Sequence, residues 1–76
     1  MKATLVKLQK KPSRYGGWFY YAFFKAKNGK SYYSCIYPKM RNYEIWKSYL
    51  REGIMLDGLR VKKGRLIDAD SDIREI

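Results

Sequence analysis

Short β-rich runs dominate this chain, and a helical spacing of apolar residues appears only once. Residues 3–10 (Ala-Thr-Leu-Val-Lys-Leu-Gln-Lys) mix Val, Leu and Thr with Lys and predict a half-buried strand. From Lys10 to Gly17 the pattern breaks into a flexible basic loop, punctuated by Pro12 and the Gly16-Gly17 pair. Residues 18–27 and 30–37 predict two more strands, the second ended by Pro38. Asn42 is a helix-capping residue type, and Ile45, Trp46, Tyr49 and Leu50 form one apolar stripe. Together they predict a helix from Tyr43 to about Glu52, with Gly53 as its left-handed terminator. Residues 54–61 and 65–73 then predict a second hairpin around Lys62-Lys63-Gly64. No repeat, linker or low-complexity tract interrupts the chain, so residues 1–76 read as one domain.

Asn28-Gly29 between two β-rich runs is a strong hairpin signal, because a type I′ turn needs positive φ at both central positions. A two-residue turn sets Lys27 opposite Lys30, and hence Lys25 opposite Tyr32 and Phe24 opposite Tyr33. Directly opposed residues share a face of a sheet. One face is then expected to carry Tyr20, Ala22, Phe24, Ala26, Tyr33, Cys35 and Tyr37, without a charge, as a barrel interior. The other carries Tyr21, Phe23, Lys25, Lys27, Lys30, Tyr32, Ser34 and Ile36. Three lysines beside three rings cannot form a core, so this second face is expected to meet solvent.

Charge sharpens that picture. The first 43 residues hold ten Lys or Arg, eleven aromatic side chains and no carboxylate, while all seven acids lie at Glu44 or later. The formal charge of +10 therefore belongs to the segment richest in rings. Phosphates pair with Lys and Arg, and unstacked bases lie on aromatic faces, so the coincidence points to a nucleic-acid strand. Rings in small sheets are more commonly core or cross-strand filler, and surface lysines commonly only solvate. The sorting by strand period, with no acid on the charged face, favours the functional reading. Cys35 has no disulfide partner and His is absent, as suits a reducing cytoplasm. The longest uncharged apolar run, Trp18 to Phe24, falls far short of the roughly 20 residues that span a bilayer. A soluble cytoplasmic protein is expected.

Strand, basic loop, long hairpin, short helix and final hairpin follow one another in the order of an OB-fold: an all-β barrel of five strands, with a helix between strands 3 and 4. The stretch Trp46-Lys-Ser-Tyr-Leu-Arg-Glu-Gly53, then Ile-Met-Leu-Asp-Gly58-Leu-Arg-Val and the Lys-Lys-Gly turn, resembles single-stranded-DNA-binding proteins of that fold. The resemblance implies a binding surface over strands 2 and 3, at Tyr21, Phe23, Lys25 and Tyr32, and the hairpin pairing places Lys27 and Lys30 on that same face. It adds Lys10, Lys11, Arg14 and Tyr15 in the first loop and Lys62, Lys63 and Arg65 in the last. Trp18 stacks at the loop edge or packs inward. The linker and long acidic tail of the bacterial replication proteins are missing. The compact form resembles the small proteins of bacteriophages and plasmids, which usually self-associate.

Other readings have less behind them. Asp68, Asp70 and Asp72 on a strand would project three carboxylates to one side, an arrangement that could hold Mg²⁺ for a metal-dependent nuclease, but the calcium-loop pattern is not met. The bland alternative is an outward acidic face balancing nearby cations. Cys35, expected inside the barrel, would be inert. No catalytic set, metal site or cofactor motif is read. RNA would suit the same basic, aromatic sheet, and so would an acidic protein surface approached by an inhibitor module.

Overall fold

The period-two runs become strands in the computed structural model, which describes residues 1–76. They are β1 (Ala3–Pro12), β2 (Trp18–Ala26), β3 (Ser31–Ile36), β4 (Met55–Asp57), β5 (Val61–Lys63), β6 (Leu66–Ile67) and β7 (Arg74–Glu75), with one short helix, α1 (Tyr43–Ser48). The sheet order is β5-β6-β3-β2-β1-β4-β7, antiparallel except where β3 runs parallel to β6. Residues 58–60 carry the chain from β4, next to one end of the sheet, to β5 at the other, and the sheet curls into a half-barrel. No helix is long and apolar enough to cross a membrane.

The hairpin between β2 and β3 departs from expectation by one residue. Asn28 does not take positive φ; only Gly29 does, at 86°. The Gly29 N–H donates to the Ala26 carbonyl, the Ala26 N–H donates to the Lys30 carbonyl, and the Asn28 Oδ1 accepts the Lys30 N–H. This is a three-residue loop whose left-handed glycine forms a bulge, the next commonest hairpin solution after the two-residue turn. Lys25 therefore opposes Ser31, Phe24 opposes Tyr32, and Phe23 opposes Tyr33. A slip of one residue carries every β3 side chain to the other face. The expected pairing of Lys25 with Tyr32 on one face is overturned. Tyr32 lies inward with Phe24, and Ser34 and Ile36, expected outside, are fully buried. Tyr33, Cys35 and Tyr37, expected inside, lie on the outer side.

β1 is longer than expected and continues to Pro12, which faces Trp18. A bulge at Val6 shifts its register, so Leu5 and Leu8 both point inward while Lys7, Gln9 and Lys11 share the outer face with Phe23, Tyr21 and Phe19. The inner side of the sheet packs Leu5, Ala22, Phe24 and Ile36 against Trp46, Leu56, Leu59 and Ile67. Burial of each such large side chain contributes about 1.5–3 kcal/mol. Of the thirteen aromatic residues Phe24, Tyr43 and Trp46 are buried in this core and Trp18, Tyr20, Tyr32 and Tyr49 pack against it, which leaves six rings elsewhere.

The helix ends at Ser48 rather than near Glu52. The Ser48 hydroxyl donates to the Ile45 carbonyl, and the Tyr49 N–H closes a tighter turn on Trp46. Ile45 of the expected stripe is exposed, and Tyr43 takes its place beside Trp46. Asn42 makes no cap. Its amide and the Trp46 indole N–H both donate to the Ala69 carbonyl at 2.8 Å, which ties α1 to the segment after β6. Gly53 terminates no helix but donates its N–H to the Leu5 carbonyl at 2.7 Å, leading into β4.

The second hairpin is broken. Gly58 interrupts its first strand with φ at 84°, where the returning chain at Asp72 lies against it. Residues 68–72 form a turn instead of a strand: the Asp68 carboxylate accepts the Asp70 N–H, and the Asp68 carbonyl accepts the Ser71 hydroxyl and N–H. Asp57 and Asp68 have their carboxyls held below the usual range, first by the Gly58 and Asp70 backbone N–H groups, then by Arg74 and Arg60 respectively. A carboxylate whose folded pKa is depressed stabilises the fold above its unfolded value and loses that contribution as pH falls through the folded one. Melting temperature should therefore fall below about pH 4. An Asp68→Asn chain should show a shallower fall in a pH series, and equal slopes would remove Asp68 from the account.

Candidate nucleic-acid interface

Alternation along β1, β2 and β3 delivers one continuous outer surface. Its rows, read across the strands, are Lys11–Phe19, Gln9–Tyr21–Cys35, Lys7–Phe23–Tyr33 and Thr4–Lys25–Ser31. Tyr37 extends the first row, its ring stacked on Phe19 at 5.0 Å and 20°. Tyr21 stacks on Phe23 at 4.7 Å and 12°, and lies 5.5 Å from Tyr33. Five rings thus form a connected cluster, half-covered by one another and open on the outward side. No position in these rows is acidic.

Cations border the cluster. The Lys11 ammonium lies 5.2 Å from the Tyr21 ring centre, and Lys7 and Lys25 are exposed on the same rows. On the opposite border Arg41 and Lys62 line a groove of about 340 Å³ with Cys35, Tyr37 and Leu66. Asp68 and Asp70 close the far side of that groove, Asp68 already paired with Arg60 at 3.0 Å. Burial raises the pKa of the Tyr21 phenol, helped by the neighbouring Cys35 and Tyr33, and burial also raises that of the Cys35 thiol. Both groups stay neutral at physiological pH, so neither adds an anion to the ring cluster itself.

The residues expected from the sequence divide accordingly. Tyr21, Phe23, Lys25 and Lys11 converge on this surface, and Lys62 stands at its border. Lys27 and Lys30 are exposed in the adjoining turn. Tyr32 lies on the inner side with Arg65 over its ring at 5.5 Å, and Lys63 lies on β5, paired with Leu66, which pairs in turn with Tyr33. Trp18 packs inward, edge-on to Tyr20 and Tyr43, with the Lys10 ammonium 4.2 Å from its ring centre. Arg14 and Tyr15 pair with each other in the first loop. β1 takes up the first residues of that loop, and the rest is a short turn closed by the Ser13 N–H on the Gly17 carbonyl and the Gly16 N–H on the Ser13 carbonyl.

Sequence reasoning missed Phe19, Tyr33, Tyr37 and Lys7. Phe19 was available from its even spacing with Tyr21 and Phe23; Tyr33 and Tyr37 required the three-residue loop. Cys35 is not interior but half-exposed between Tyr21 and the groove. The three alternating aspartates do not share a strand face, and no three His, Cys, Asp or Glu side chains gather as a metal site would require. No protein-family model matches the chain, and neither does any curated protein or solved structure.

Proposed function

We propose that this protein coats single-stranded DNA with little sequence preference, using the outer surface of β1, β2 and β3. The observation that carries the reading is the connected cluster of Phe19, Tyr21, Phe23, Tyr33 and Tyr37, bordered by Lys7, Lys11 and Lys25 without an acid among the strand positions. Seven of the thirteen rings lie in or against the core, and these five are among the six that do not. Bases stack on such rings at roughly 1–3 kcal/mol each, and every base has a π-face, so stacking is tolerant of sequence. Lysines beside the rings neutralise the phosphates that join those bases.

The layout supports an OB-type barrel as the scaffold. β1, β2 and β3 form a meander, α1 follows β3, β4 returns antiparallel to β1, and β6 lies parallel to β3. If β4 and β5 are one strand interrupted at Gly58, and β6 is the fifth, the cyclic order is that of an OB-fold. One such barrel covers only about 4–16 nucleotides, so self-association would raise affinity by multiplying sites. A small phage or plasmid protein of this kind would act in the host cytoplasm.

Titration of labelled oligo-dT followed by anisotropy tests the reading. With about five phosphates contacted, the slope of log affinity against log salt should lie near −3.5. Raising salt from about 50 to 200 mM should then weaken binding roughly 100-fold. Parallel titrations with oligo-rU and duplex DNA report the preferred polymer. Indifference to every strand at low salt would remove the proposal.

A further inference from the structure

The Phe19–Tyr37 end of the ring cluster opens into a cavity of about 460 Å³. That size falls within the roughly 300–1,000 Å³ typical of small-ligand pockets. Its walls are Tyr15, Trp18, Tyr37 and Pro38. Tyr37 belongs to both places, lining the cavity while stacking on Phe19. Across from it Tyr15 is 84% exposed, although its backbone is fixed: its N–H donates to the Ser13 hydroxyl within the closed Ser13–Gly17 turn. An exposed ring on an ordered turn contributes nothing to a core. Gly16 and Gly17 leave the floor clear, since a side chain at either would meet no atom within 4 Å. Lys39 lines the cavity, Lys10 lies over Trp18, and Arg14 sits 6.0 Å from the Tyr15 ring centre. No carboxylate takes part.

From these features we infer that the cavity is a pocket for one nucleobase at the end of the bound strand, with its phosphate met by Lys10, Arg14 or Lys39. The inference rests on the sheet being a strand-binding surface. A strand following the rings from Tyr33 to Phe19 arrives at Tyr37 with its next base positioned over the cavity. The pocket favours a purine, because a two-ring base covers more of the three aromatic walls than a pyrimidine does. The protein would then combine a sequence-tolerant sheet with one selective position at one end of its footprint.

The test compares oligo-dT of about eight nucleotides with the same oligonucleotide carrying one adenine at its 5′ or its 3′ end. Trp18 fluorescence and the Gly16 and Gly17 amide resonances serve as readouts, with dAMP as a separate probe. One of the two adenine-ended strands should bind about 5–10-fold more tightly than oligo-dT. That ratio should fall to about one in Tyr15→Ala and persist in Tyr15→Phe, and dAMP should perturb Trp18, Gly16 and Gly17. Equal affinities in the parent, or a ratio that survives Tyr15→Ala, would overturn the pocket while oligo-dT binding keeps the sheet. Perturbation by dAMP without any oligonucleotide binding would keep the pocket and remove the sheet.

Discussion

Replacing Tyr21 and Phe23 together by alanine should weaken oligo-dT binding about 30-fold or more while leaving the salt slope nearly unchanged. Each ring stacks a base at roughly 1–3 kcal/mol, so two of them are worth about 2–6 kcal/mol if independent. They stack on one another at 4.7 Å, so the double loss should differ from the sum of the single losses. The slope counts phosphate contacts, which these substitutions do not touch. Lys11→Ala should do the reverse, flattening the slope by about 0.7 for a modest loss at low salt. Because both rings are half-buried, melting temperature must be measured alongside. The register supplies a further control. Tyr33→Ala should weaken binding, whereas Tyr32→Ala should lower stability and leave the affinity of the folded protein within about twofold. If Tyr32 mattered for binding and Tyr33 did not, the three-residue loop would be the wrong account of the hairpin.

Gly58→Ala should cost about 3 kcal/mol or more, out of roughly 4–11 kcal/mol expected for a chain of this length. Two effects combine. A φ of 84° strains any L side chain by about 1–2 kcal/mol. A Cβ there would also collide with the Asp72 carbonyl, where only backbone movement relieves the overlap, at about 1–3 kcal/mol. Melting should drop by about 12–24 °C at roughly 4–8 °C per kcal/mol. Gly29→Ala separates the two effects, since φ is similar at 86° but a Cβ would meet nothing within 4 Å. It should cost only the strain. Equal losses at the two glycines would show that the close approach of residues 72–73 to Gly58 adds nothing to the cost.

That close approach was not legible in the sequence. The run from Arg65 to Ile73 has the composition of a strand, and nothing local reveals that Asp68 would fold back on Asp70 and Ser71, sending β7 across to β4. The helix was legible through Trp46, but its length was set by Ser48 turning onto Ile45, a competition that apolar spacing does not register. Asn42 had the chemistry of a cap and spent it on Ala69.

Three things followed from the chain alone: a mainly β protein with one short helix, a basic aromatic half, and Tyr21, Phe23 and Lys25 on one side of β2. These depend on period and composition, which neighbouring residues carry between them. Which side of β3 joins them was decided only in three dimensions. Asn-Gly serves a three-residue loop as well as a two-residue turn, and the loop length sets the register: Ser34 and Ile36 are buried on the inner side, Ser34 with its hydroxyl unpartnered, and Tyr33 and Tyr37 are left outside. Because side chains alternate along a strand, one residue more or less in the loop moves a whole face of β3, and only the folded pairing reveals which face meets solvent.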